Sequence, residues 1–117
     1  MKMPKQVPVP GFYYHYKHDP KGPFEIYAYE VVGVGFHTED DCQPRDVHTI
    51  VYRPLYESAA VYQASLKLKI PCVDVRPLKM WMGNVRKGGK TFPRFKRITN
   101  KAIISALSLV KRQMYGE

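Results

Sequence analysis

The side chains in this sequence best able to do chemistry are four histidines and two cysteines. They fall into two groups, His15-x2-His18 and His37-x4-Cys42-x5-His48. Neither repeats the paired C-x2–4-C or H-x3–5-H spacing with which structural sites wrap a tetrahedral zinc ion, so no metal is expected. Cys42 stands between two histidines, the arrangement of an activated thiol. The acids around it in HTEDDCQPRD would raise a thiol pKa, the wrong direction for a nucleophile. VVGVGF offers Gly-x-Gly without the third glycine, the following helix or the downstream acid of a dinucleotide site, and reads better as a bent strand. No P-loop or nucleophile elbow is present. The expectation is a protein that is not an enzyme and carries no cofactor.

Charge points elsewhere. Residues 1–78 hold nine Lys or Arg against nine Asp or Glu, whereas residues 79–117 hold ten against Glu117 alone, so the whole net charge of +9 lies in the last third. Such asymmetry suits an anionic partner. Its densest part is VRPLKMWMGNVRKGGKTFPRFKRI, from Val75 to Ile98, which has no acid. Arg86, Lys87, Lys90, Arg94, Lys96 and Arg97 are interleaved there with Phe92, Phe95 and Trp81. Cations among aromatics serve phosphate contact and base stacking. The competing reading buries the three aromatics in the core and leaves only the charges facing water. Binding would then be electrostatic, weak and indifferent to base sequence.

The elements that must position these residues can be read from period and punctuation. Residues 1–10, with three prolines, form an extended arm. FYYHYK opens a strand with Phe12, Tyr14 and Tyr16 on one side, and HDPKGP is turn chemistry. EIYAYEVVGVGF is the clearest strand. Its Gly33 and Gly35 predict a bulge, a bend or a close backbone approach. HTIVYRPLY is the next strand, ended or kinked by Pro54. SAAVYQASLKLKI has two readings, a short helix capped by Ser58 or a hairpin extension with alternating Leu66, Leu68 and Ile70. CVDVRP is a short strand, and LKMWM is one helical turn or a strand. Gly88-Gly89 supplies positive φ to a hairpin. From Thr99 the period becomes helical. Ile103, Leu107, Val110 and Met114 share a face opposite Lys101, Ser105, Ser108 and Arg112, with Thr99 or Asn100 as cap, which predicts a helix over roughly 100–114. About five short strands in so short a chain predict a mainly β fold, a small closed barrel over residues 11–98, with the helix of 99–117 packed on it or on a second copy.

At 117 residues, 44% of them apolar, the chain fits one domain with a modest core. Cys42 and Cys72 are too few for a disulfide framework and read as reduced thiols. MKMPKQVPVPGF has no apolar core of a signal peptide, and AIISALSLV falls far short of the ~20 residues that span a bilayer. A soluble, cytoplasmic protein is expected.

Five stretches occur in a telling order: GFYYHYK at Gly11, EVVGVGFHTED at Glu30, IVYRPLY at Ile50, VRPLKMW at Val75 and GKTFPRF at Gly89. Together, over residues 11–98, they resemble a bacterial family of domains of unknown function, the one numbered 1653. The resemblance implies an SH3-like small barrel and no activity, cofactor or substrate. Tyr14 departs from the family pattern, which commonly has Arg there. Extra chain near 18–25 and 57–72 and the C-terminal helix lie outside that core. The polar residues of the shared motifs are His15, Lys17, His37, Glu39, Arg53 and Arg76. They form either a small polar pocket for an anion or a peptide terminus or, for the two arginines before proline, anchors hydrogen-bonded to backbone carbonyls. The leading expectation is a binding module that touches nucleic acid through its basic hairpin and helix, as a monomer or a dimer formed through that helix. One alternative is a peptide-binding face made of Tyr13, Tyr14, Tyr16, Tyr52 and Tyr56. The other is a small-ligand site around His15, His37 and Arg76.

Overall fold

The structure, a computed structural model, describes residues 3–37 and 48–117. Five strands form one antiparallel sheet: β1 (Phe12–His15), β2 (Ala28–Phe36), β3 (His48–Pro54), β4 (Asp74–Pro77) and β7 (Phe95–Arg97), in the order β4-β3-β2-β1-β7. Between β4 and β7 lie a single helical turn, α2 (Leu78–Trp81), and a hairpin, β5 (Asn84–Lys87) with β6 (Lys90–Pro93), which makes a sheet of its own. Two further helices are α1 (Ala60–Leu68) and α3 (Lys101–Tyr115).

The mainly β expectation stands, but the barrel does not close. β4 and β7 end the sheet, and the hairpin pairs with neither. The exposed edges are blunted instead by brevity, by Pro77 on β4 and by Lys96 and Arg97 on β7.

The glycines of β2 do what their place in a strand implied. The register slips between Val31 and Gly33, leaving a bulge, and beyond it Gly35 faces Thr49. A Cβ on Gly35 would lie 2.5 Å from the Thr49 hydroxyl oxygen, so only glycine lets the two strands meet there. At the hairpin tip Gly88 and Gly89 both have positive φ, 59° and 76°, the pattern of a type I′ turn that matches strand twist.

One face of the sheet carries Tyr13, Ile50, Tyr52 and Phe95, covered by Trp81 from α2. Trp81 stacks on Phe95 with centroids 3.6 Å apart. The N-terminal arm is tied to this end through the Tyr13 hydroxyl, which donates to the Val9 carbonyl. The other face carries Ala28 and, just past β3, Leu55, and receives α3 through the fully buried Leu107, with Ile98 beside it. Asn100 caps α3 by accepting from the Ile103 N–H. The helix thus spends its apolar stripe on the chain's own sheet, and Lys101, Ser105, Ser108 and Arg112 stay exposed as their spacing implied.

The 58–70 stretch is a helix. Its N-cap is Ala59, with no side-chain cap, rather than Ser58. The alternating Leu66, Leu68 and Ile70 are all exposed, whereas Val61, Tyr62, Ala64 and Ser65 face inward at helical spacing. Tyr62 meets α3 there, with its ring edge-on to Tyr115 at 5.7 Å.

Candidate functional site

Two surfaces carry the residues singled out by their chemistry. The first is the hairpin. Arg86, Lys87 and Lys90 are exposed at its tip, and Lys96 and Arg97 are exposed on the edge strand β7. None of the five has an ion-pair or hydrogen-bonding side-chain partner among the described residues. Lys87 stands directly opposite Lys90, and Arg86 opposite Thr91. Successive strand residues point to opposite faces, so Lys87 and Lys90 share one face and Arg86 takes the other. The cations therefore do not form a flat patch. They decorate both faces of a narrow two-stranded ribbon.

The interleaved aromatics behave as the plainer reading held. Trp81 and Phe95 are core, and Phe92 is half-buried against Tyr16, with ring centroids 5.8 Å apart. Arg94 parts company with the strip. It sits in the bend between β6 and β7, half-buried, and its Nε is enclosed without a hydrogen-bond partner.

The second surface lies on the Tyr52 face of the sheet, beside the part that Trp81 covers. Strand alternation and register set it. Asp74 is opposite Tyr52, and Arg76 is opposite Ile50. Arg76 donates through Nε to the Tyr52 hydroxyl at 3.2 Å and lies 5.5 Å above the Phe95 ring. Five aromatic rings close a circuit beside it. His15 meets Tyr27 at 5.6 Å, Tyr27 meets Tyr56 at 6.2 Å, Tyr56 meets Tyr29 at 5.7 Å, Tyr29 meets Phe95 at 6.1 Å, and Phe95 returns to His15 at 5.1 Å. All but Phe95 are half-buried, within reach of solvent. The Tyr29 and Tyr56 hydroxyls bond each other at 2.7 Å. Tyr27 holds φ at +64°, costly for a bulky side chain, and this turns its ring towards His15.

Electrostatics here are those of a dry, positive niche. His15 is held down to about 4, first by burial and then by Arg76, Lys17 and Arg94. Burial raises Asp74, which Arg76 partly offsets. Burial also raises Tyr56, and raises Tyr29 together with the hydrogen bond between them. At neutral pH the niche holds a neutral imidazole, neutral phenols, two guanidiniums and one carboxylate.

Of the six polar motif residues, the structure brings together His15 and Arg76. Lys17 adjoins them, its backbone N–H donating to His15 Nδ1 at 3.2 Å. His37 lies exposed just past β2, with no hydrogen bond or ring contact to either. Glu39, like Cys42, lies outside the described residues. Arg53 belongs to the opposite face. It donates to Glu30 at 2.9 Å and to both carboxylate oxygens of Glu117, and it stacks 3.9 Å above Tyr115. Lys111 completes that network on Glu30 at 2.7 Å. Arg53 is thus neither a pocket residue nor a backbone anchor; it fastens the C-terminal helix. The tyrosines proposed for a peptide groove are scattered. Tyr13 and Tyr52 are buried, and Tyr14 packs toward α3. Among the described residues no three His, Cys, Asp or Glu side chains gather as a metal group. None of their helices is long and apolar enough to cross a membrane.

Tyr27, Tyr29 and Asp74 are members of the niche that their residue types alone did not mark. The alternations Tyr27-x-Tyr29 and Asp74-x-Arg76 are the signal that could have found them.

Fold and surfaces together define a small sheet-and-helix protein with a projecting basic ribbon and an aromatic, cation-lined niche. The chain belongs to the family described as protein of unknown function (DUF1653), whose model matches residues 11–97. It is similar to a crystal structure of a member of that family from Bordetella bronchiseptica, with 26% identity, a TM-score of 0.50, and coverage of 80% of this chain and 94% of that one. Among the curated proteins none matches.

Proposed function

We propose that this protein is a non-enzymatic binding module that grips nucleic acid with its basic hairpin. The observation that carries the reading is a ribbon with exposed, unpaired cations on both faces: Arg86 on one, Lys87 and Lys90 on the other. Two lysines directly across a strand pair repel each other, a local cost that a phosphate between them removes. A two-stranded ribbon fits the major groove of a duplex, where both its faces look onto phosphates. Lys96 and Arg97 extend the positive field along β7. Because the nearby aromatics Trp81 and Phe95 are core, contact is through charge, with little base reading.

The test is fluorescence anisotropy with labelled duplex at low salt. The wild type binds, with affinity in the roughly 10⁻⁴–10⁻⁶ M range of non-specific contacts as salt approaches physiological levels. Arg86→Ser with Lys87→Ser and Lys90→Ser abolishes the binding while leaving the melting temperature unchanged, since a hairpin tip adds nothing to the core. Absence of wild-type binding at low salt refutes the proposal.

A further inference from the structure

We infer that the niche formed by His15, Tyr27, Tyr29, Tyr56, Arg76 and Arg94 is a binding site for a small oxyanion, a carboxylate or phosphate group, carried on an apolar or aromatic body.

The argument is a count of hydrogen-bonding capacity. His15 Nδ1 accepts from the Lys17 N–H, so the neutral ring keeps its proton on Nε2, a donor with no acceptor among the described residues. The Tyr52 hydroxyl accepts from Arg76, and its own hydrogen is unclaimed. Of the Tyr29 and Tyr56 hydroxyls, one donates to the other, and the receiver's hydrogen is free to bond outward. Arg76 uses only Nε, leaving both terminal nitrogens open. Arg94 Nε is enclosed and unpartnered. A buried donor without a partner costs free energy, so it calls for an explanation. Every unspent group but one donates, and the exception is Asp74, set against two arginines. A group rich in acceptors and negative in charge satisfies such a lining. The aromatic circuit supplies the wall for its carrier, and guanidiniums suit carboxylate and phosphate because they bond these groups through parallel N–H pairs.

Aromatic enclosures elsewhere hold cations. Here His15 reports the local field directly. Arg76, Lys17 and Arg94 each disfavour a proton on its ring, and a bound cation would meet the same repulsion. The strained backbone at Tyr27 points the same way, since outliers of this kind concentrate at ligand sites. This inference does not rest on the nucleic-acid reading: the ribbon cations Arg86, Lys87 and Lys90 lie outside the niche.

Calorimetric and NMR titrations of the full chain with benzoate, acetate, inorganic phosphate and tetramethylammonium test it. Benzoate binds saturably and at least about tenfold more tightly than acetate, which has the charge without the ring. Phosphate binding in preference to both carboxylates assigns the oxyanion as a phosphate. Bound anion also raises the pH at which His15 titrates, because it offsets Arg76 and Arg94. Arg94→Met weakens binding at least about tenfold, yet keeps or raises the melting temperature, because it removes an unpaired buried donor. A triple serine variant at Arg86, Lys87 and Lys90 leaves benzoate binding intact, which separates this site from the ribbon. Failure of both benzoate and phosphate to saturate overturns the inference, as does saturation by tetramethylammonium alone. Binding that Arg94→Met leaves unchanged, with no shift at His15, overturns the assignment to this niche.

Discussion

Truncation of Leu107 to alanine measures how far α3 is part of the fold. Leu107 has no exposed surface, and its neighbours Ala28 and Leu55 have none either. Large-to-small changes in cores cost about 2–5 kcal/mol, the higher values where the surroundings cannot collapse into the space. One wall of this site is a hydrogen-bonded sheet and the other is a helix tied down by Arg53, Glu30, Glu117 and Lys111, so little collapse is available. The expected cost is about 3–5 kcal/mol. For a chain of this size each kcal/mol moves the melting temperature by roughly 3–6 °C, so Leu107→Ala lowers it by roughly 10–25 °C. Leu109, two residues on, is 57% exposed and supplies the control. Its truncation stays within about 0.5 kcal/mol. Thermal and urea unfolding followed by circular dichroism read both. If Leu107→Ala is as mild as Leu109→Ala, the helix is not docked as described, and the two-faced sheet with it is wrong.

Gly35→Ala forces a Cβ to 2.5 Å from the Thr49 hydroxyl oxygen and costs about 1–3 kcal/mol by overpacking. Thr49→Ala added to it leaves only the Thr49 Cβ at 3.9 Å, so the double variant recovers most of the loss; urea midpoints for the two variants decide it. His15 has a folded pKa below its ordinary 6.5, at about 4, so the unfolded chain takes the proton first. Its contribution to stability is complete above about pH 6.5 and is lost as pH falls from there toward 4, by about 1–2 kcal/mol once screening of a half-exposed ring is allowed for. His15→Gln flattens that limb of the stability profile, and an unchanged limb contradicts the burial assigned to the ring.

Local signals carried much of the architecture. The heptad-like spacing of Ile103, Leu107, Val110 and Met114 and the Asn100 cap marked α3, and Gly88-Gly89 marked the hairpin, because each feature is decided within a few residues. Residues 58–70 were ambiguous because two periods overlap there, Leu66-x-Leu68-x-Ile70 at strand spacing and Val61, Tyr62 and Ser65 at helical spacing. Only docking of Tyr62 against α3 separates them. Barrel closure was not legible, since it depends on pairings between distant strands rather than on any one of them. The two arginines before proline show the same limit. Arg53 and Arg76 sit in identical local contexts, but sheet register sends Arg76 to the Tyr52 face and Arg53 to the α3 face. Register likewise separates Arg94 from the exposed strip and joins it to His15.

The salt dependence of duplex binding tests the central claim most directly. Each phosphate contact on duplex contributes about −0.9 to the slope of log K against log salt. With Arg86, Lys87 and Lys90 engaged together with Lys96 or Arg97, the wild type should show a slope of roughly −3 to −5. Because the ribbon presents cations on both faces, Arg86→Ser alone flattens the slope by about 1, and Lys87→Ser with Lys90→Ser by about 2. A slope near zero, or one that neither variant changes, contradicts the ribbon as the site of contact.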